Sequence, residues 1–149
     1  MYKISQNIEL KQAIFQTDME NVKVEVSPHA IELVRELIGD NAREVFLAVY
    51  MREDNTVVGY YEAFKGSLNA SIVSPREVFQ PVFLHEGITK LLVAHPHPSG
   101  GYGSTAPSSE DIEVTKRLKE VAERLDIKLV DHIIINQSDE TSMLDKGFM

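Results

Sequence analysis

The chain contains no cysteine. Disulfides and thiolate metal ligands are therefore excluded, and any metal must be held by His, Asp or Glu. Long apolar runs are missing as well. None approaches the roughly 20 residues needed to span a bilayer, and the N-terminal stretch MYKISQNIELK is too polar for a signal peptide. The cytoplasm is the expected compartment, with no membrane partner. Positive charge is scarce: 15 Lys and Arg stand against 23 Asp and Glu, for a net charge of −8. That balance argues against broad attraction to nucleic-acid phosphates and so against direct nucleic-acid binding. Internal repeats, low-complexity tracts and interdomain linkers are also absent. What remains is 149 residues, 43% hydrophobic and 26% charged, which is the size and composition of one globular domain with one core.

Residues 1 to 26 show weak periodicity and read as a partly ordered N-terminal arm, with the domain proper over 27–149. The pattern predicts a helix from Pro28 to Leu37, with Ser27 as N-cap and Gly39 as its stop. Glu44–Met51 and Thr56–Phe64 read as the two strands of a β-hairpin around the turn REDN. A short β segment, ASIV, precedes the helix signal SPREVF, in which Ser74 caps and Pro75 opens the helix. Lys90–His95 suits a central strand covered on both faces. Ser108–Leu125 is a helix by its apolar spacing, and Ile127–Ile135 is another buried strand. One α/β domain accounts for the whole pattern.

The stretch AHPHPSGGYGSTAPSSED, Ala94 to Asp111, concentrates the candidate chemistry. His95 and His97 each precede a proline, which drives a residue towards extended geometry. Extended residues at i and i+2 point the same way, so two imidazoles share one side of a strand end. They are either two ligands for one metal or two surface histidines beside strand-breaking prolines. Ser108 and Asp111 form the capping-box pattern S-x-x-D. Yet Asp111 also lies on the inward row through Thr115, Leu118 and Ala122, where a buried carboxylate needs a partner. A cation held by His95 and His97 satisfies it, and three protein ligands plus water is the usual catalytic zinc arrangement. The same ligand types serve non-haem iron. Glu62 is either a solvated strand residue or the base that helps a metal-acidified water lose its proton. His132 reads as a satisfied core histidine next to Asp131, with a supporting role near the site as the alternative; His29 and His85 read as surface residues, and Arg76 as structural or substrate-binding.

GSLNASIVSPREVF, HPHPSG, PSSEDIEVTKRL and LVDHIII, in that order, resemble the RadC-like branch of the JAB/MPN (JAMM) zinc metalloprotease superfamily. The resemblance covers Glu44 to the C-terminus. It implies a single-domain α/β/α sandwich with a curved mixed β-sheet, the architecture shared with cytidine deaminases. It further implies His95, His97 and Asp111 as zinc ligands, Ser108 as an oxyanion donor, and Glu62 as the general base. The implied activity is a zinc-dependent metallohydrolase cleaving an amide bond in a protein or peptide substrate. A rival reading is a non-catalytic accessory or interaction module linked to DNA repair, recombination or mobile elements. A cytidine-deaminase-like site is ruled out because it needs cysteine ligands.

The sequence departs from the family pattern in three places. Pro96 stands where the branch usually has Asn. Pro98 to Glu110 makes thirteen residues, about three more than usual, and the glycines of GYGSTA allow the loop to bulge. The chain also has no room for the helix-hairpin-helix DNA-binding module of longer RadC proteins.

Overall fold

A computed structural model describes residues 22–38, 44–65, 73–97 and 104–149. Its elements run α1 (Ser27–Ile38), β1 (Val45–Met51), β2 (Val57–Lys65), α2 (Pro75–Leu84), β3 (Lys90–Pro96), α3 (Ser109–Arg124), β4 (Lys128–Ile135) and β5 (Glu140–Ser142). The five strands form one mixed sheet in the order β2-β1-β3-β4-β5. β1 is antiparallel to β2 and β3, and β3 is parallel to β4. A parallel neighbour requires a crossover, and α3 provides it.

Alternation along β1 and β3 divides the core into two faces. Phe46, Ala48, Tyr50, Leu91 and Val93 pack against Val78 and Phe79 of α2 and Val114, Leu118 and Ala122 of α3. Leu47, Val49, Met51, Leu92 and Ala94 pack against Ala30, Leu33, Val34 and Ile38 of α1. Every residue of β1 is buried, as expected for a strand with helices on both sides. The result is the α/β/α sandwich that the family resemblance implies. Among the described residues, no helix is long and apolar enough to cross a membrane.

The element boundaries follow the sequence signals with informative exceptions. Ala30 N–H donates to the Val26 carbonyl at 3.3 Å, so Val26 rather than Ser27 holds the N-cap place of α1. Gly39 and residues 70–72 of ASIV lie outside the described residues. α2 runs on through Pro81, beyond the SPREVF signal. Ser74 takes the N-cap position of α2 through its carbonyl, which accepts from Glu77 and Val78, without a side-chain cap bond. At the end of the expected arm, Val24 N–H donates to Asn55 O and Val57 N–H to Val22 O. Those residues therefore lie along the β1–β2 turn, where Asn55 has a φ of 68°, a conformation Asn tolerates better than most residues. β5 has no counterpart in the sequence reading; its three residues extend the sheet beside Ile133–Ile135.

Candidate metal centre

The last residues of β3 carry the histidines. His95 is the penultimate residue of the strand, and its ring stacks on Phe46 with centroids 6.1 Å apart. His97 follows the strand, held by its own N–H donating to the Ile135 carbonyl at 2.9 Å. The two rings lie 5.1 Å apart, as the paired X-Pro geometry predicts. Asp111 comes from the first turn of α3 and is 1% exposed. Its row mates Thr115, Leu118 and Ala122 are buried with it, so the inward stripe read from the sequence is correct.

Ser108 and Asp111 form the capping box, and the Asp111 carboxylate also faces the histidines. The Ser108 hydroxyl accepts from Asp111 N–H at 3.1 Å, and Asp111 Oδ2 accepts from Ser108 N–H at 2.7 Å, which completes the capping box. The same carboxylate reaches the histidines. Asp111 Oδ1 lies 2.9 Å from His95 Nε2 and Asp111 Oδ2 lies 2.9 Å from His97 Nε2. Within the described residues, His95, His97 and Asp111 form a group whose ligand atoms all lie within 4.8 Å of one another. The thirteen-residue connection thus still delivers Asp111. Its exit is anchored by Thr105, fully buried, whose hydroxyl donates to Asp139 Oδ2 at 2.7 Å and lies 2.8 Å from Thr141 Oγ1. Arg35 of α1 braces the same corner by donating to the Asn136 and Asp139 carbonyls and pairing with Glu140.

The electrostatics suit a cation. Burial pushes the His95 imidazole below its ordinary value despite the nearby carboxylate, so the ring is neutral at neutral pH. Asp111 is held far below the usual carboxylate range. Burial opposes its charge, but contacts with both imidazoles and the Ser108 amide outweigh that cost. His97 moves upward, chiefly through its contact with Asp111. His97 Nδ1 donates to the Ser104 carbonyl at 3.0 Å, so in the neutral ring Nε2 is a bare lone pair facing the carboxylate. His95 Nε2 is buried and has no aligned hydrogen bond, although Asp111 Oδ1 is only 2.9 Å away. An orphaned buried nitrogen aimed at a carboxylate is costly by itself, and a shared cation removes the cost. The donor set therefore fits a divalent metal.

Glu62 is the candidate that the fold keeps on another strand. It belongs to β2, with β1 between it and β3. Its ladder partner is Leu47, whose other neighbour is Ala94. Leu47 and Ala94 pack on the α1 side, whereas His95 projects to the α3 side with Phe46. A register irregularity between Phe46 and Leu47 falls at this point in the pairing.

His132 is the satisfied core histidine that the sequence reading expects, and it also stands beside the site. It is fully buried, as expected of a core residue, but Asp131 does not satisfy its ring. Neighbours in a strand point to opposite faces, and Asp131 instead accepts from the His132 and Leu144 amides and the Ser142 hydroxyl. The His132 ring turns to the metal side, with Nε2 2.8 Å from His95 Nδ1 and Nδ1 2.6 Å from Thr115 Oγ1. The available signal was the alternation itself, which excludes a ring contact with the adjacent Asp131. Helical spacing places Thr115 on the inward row, whereas Ser104 and Thr105 had no distinguishing signal in the sequence. Arg76 and His29 are exposed and His85 is half-buried.

These features define an α/β/α domain with two histidines and one carboxylate converging at the carboxyl end of a central strand. A family model of the RadC-like JAB domain matches residues 24–148, and the chain belongs to that family. It is 42% identical over 107 residues to a UPF0758 protein of Clostridium botulinum (strain Alaska E43 / Type E3), covering 72% of this chain and 45% of the relative. It is 39% identical over 147 residues to a UPF0758 protein of Listeria monocytogenes serotype 4b, covering 98% of this chain and 64% of the relative. A UPF0758 protein of Syntrophotalea carbinolica is 39% identical over 124 residues, covering 83% and 53%. The chain spans about half the length of the curated relatives it matches.

Proposed function

We propose that the chain is a zinc-dependent metallohydrolase of the metallopeptidase type, cleaving an amide bond in a protein or peptide substrate. The observation that carries this reading is the buried His95 Nε2, orphaned from hydrogen bonding and converging with His97 Nε2 and the Asp111 carboxylate. Those three side chains would hold the ion. Zinc in such a site supplies Lewis acidity and a water acidified towards neutral pH.

The protein's own residues have separable tasks. Asp111 brings the negative charge, ionised at any working pH, and α3 favours that charge at its N-terminus. Ser108 uses its oxygen to accept from Asp111 N–H, which leaves its own proton available. On this exposed helix start that proton is a donor for a developing oxyanion. Glu62 is assigned the proton of the attacking water. Adjacent strands lie about 4.8 Å apart, so its backbone stands about 10 Å from β3, and its ladder row faces α1.

Purified protein should carry one zinc per chain under chelator-free conditions, and His97→Ala should not. Wild type without stoichiometric zinc removes the reading. A second reading, a metal-holding but non-catalytic accessory module, is favoured by one observation: Glu62 shares a ladder row with residues facing α1. Glu62→Gln separates the two. The enzyme loses turnover and keeps zinc, while the module keeps its cellular effect.

A further inference from the structure

The metal-centre reading assigns no task to the polar chain behind His95, although that chain is buried throughout. Thr115 is 2% exposed and His132 is 0% exposed. Building such groups into a core is costly unless every proton has a place, so the placement of protons can be worked out.

One group in the chain has a fixed direction. The Asp111 backbone carbonyl can only accept, and Thr115 Oγ1 lies 2.6 Å from it. Thr115 has a single hydroxyl proton, and that contact uses it. Met143 Sδ, 3.4 Å from the same oxygen, is a weaker acceptor, and donation to it would leave the rest of the chain unchanged. Towards His132 Nδ1, 2.6 Å away, Thr115 is therefore the acceptor, and His132 Nδ1 carries the hydrogen. A neutral imidazole has one N–H, so His132 Nε2 is a bare lone pair. It faces His95 Nδ1 at 2.8 Å, which must then be the donor. In a neutral His95, Nε2 is left bare, pointing at Asp111.

We propose that Thr115 and His132 form a one-way hydrogen-bond relay that fixes His95 as its Nδ1–H tautomer and so keeps Nε2 available as a ligand before any ion arrives. Both are positioning residues, and the inference rests on the metal-centre reading above. His97 reaches the same state by another route, because the Ser104 carbonyl takes its Nδ1–H. Two imidazoles thus present matching lone pairs, one set by a backbone carbonyl near the surface and the other by side chains in the core. If the relay ran in reverse, His95 Nε2–H would donate to Asp111 and consume the ligand atom. It would also leave Thr115 Oγ1 and the Asp111 carbonyl 2.6 Å apart with no proton between them. Both ring nitrogens of the fully buried His132 meet side chains without formal charge, Thr115 and neutral His95, which suits a relay of neutral rings.

The test begins with the metal-free full chain. Long-range nitrogen–proton correlation NMR of the histidine rings should show His95 and His132 both protonated at Nδ1 and bare at Nε2. A protonated Nε2 on metal-free His95 overturns the relay. Zinc affinity, measured by chelator competition, should fall about 10- to 100-fold in Thr115→Val, the range for loss of a partner that orients a metal ligand, and Thr115→Ser should restore it. Thr115→Val with mixed His95 tautomers and unchanged affinity also overturns the proposal. If the valine variant fails to fold, the wild-type tautomers decide. Zinc titration of wild type keeps the two inferences separable. A chain that takes up no zinc yet shows both Nδ1–H tautomers loses the metal centre and keeps the relay. One that binds zinc but has Nε2–H on metal-free His95 loses the relay and keeps the centre.

Discussion

The two faces of the sheet are built from the same strands yet do different work. Towards α1 the core is aliphatic apart from buried Asp131, which the Ser142 hydroxyl and two backbone amides satisfy, with Leu33, Val34 and Ile38 laid on Leu47, Val49, Leu92 and Ile133. Towards α3 a similar apolar layer is interrupted at one end by His95, His132, Thr115 and Asp111, all buried and linked by hydrogen bonds or close contacts. Apolar packing tolerates imprecise partners, whereas a buried polar chain is favourable only when every donor meets an acceptor. The contrast assigns stability to one face and chemistry to the other, and substitutions can test that division.

The largest expected effect is on the α3 face. Asp111→Ala removes the only acid of the ligand group and leaves His95 Nε2 and His97 Nε2 without their counter-charge. Zinc should fall below stoichiometric levels by elemental analysis, while the far-UV spectrum stays folded. On the opposite face, Leu33→Ala should lower unfolding free energy by about 2–5 kcal/mol in urea melts and leave zinc content unchanged. A Leu33→Ala protein that loses zinc while still folded would dissolve the comparison. Ser108→Ala stands between: loss of the cap should cost about 1 kcal/mol, and loss of the oxyanion donor should lower turnover about 10²–10³-fold. Cap loss without a turnover effect would confine Ser108 to a structural role.

The smallest effect is a pH slope. His95 and His132 are shifted downward by burial, so the unfolded chain binds more protons than the folded one below about pH 6.5. Their contribution is complete above that value and is lost as the pH falls through the folded values. His97 is shifted upward and works in the opposite sense: its contribution is complete below about pH 6.5 and is lost as the pH rises. His97 is the most exposed of the three imidazoles, at 22% of its side chain, so solvent screens its contribution more. The melting temperature of metal-free protein should therefore drop between about pH 7 and about pH 5, and the drop should be shallower in His132→Gln. A flat profile would contradict two neutral buried imidazoles.

Most of the layered fold was legible in the sequence because its elements are long and periodic. β1, β3 and β4 are apolar runs, and α3 carries both a capping box and an inward stripe. The site was legible for a related reason: prolines constrain His95 and His97, and helical spacing turns Asp111 inward. β5 was not legible, since its three residues, Glu140, Thr141 and Ser142, are all polar and carry no apolar period. Its position depends on the side chains of Asn136, Asp139 and Thr141. The relay was hidden for a different reason. A threonine on a helix and a histidine on a strand are unremarkable until the parallel pairing of β3 and β4 brings His132 opposite Val93, beside His95. Glu62 was singled out among aromatic residues, and only the strand order shows that β1 intervenes.

One consequence follows from the brevity of the ligand segment. His95, His97 and Asp111 lie within sixteen positions of one another, so a denatured chain keeps the His-Pro-His pair and a nearby acid. An ion with affinity for both states stabilises only by the difference between them. If zinc raises the melting temperature, the size of the rise reports preorganisation, meaning how much better the folded crossover presents these side chains than a loose peptide does. A synthetic peptide spanning residues 94–111 supplies the reference for that comparison.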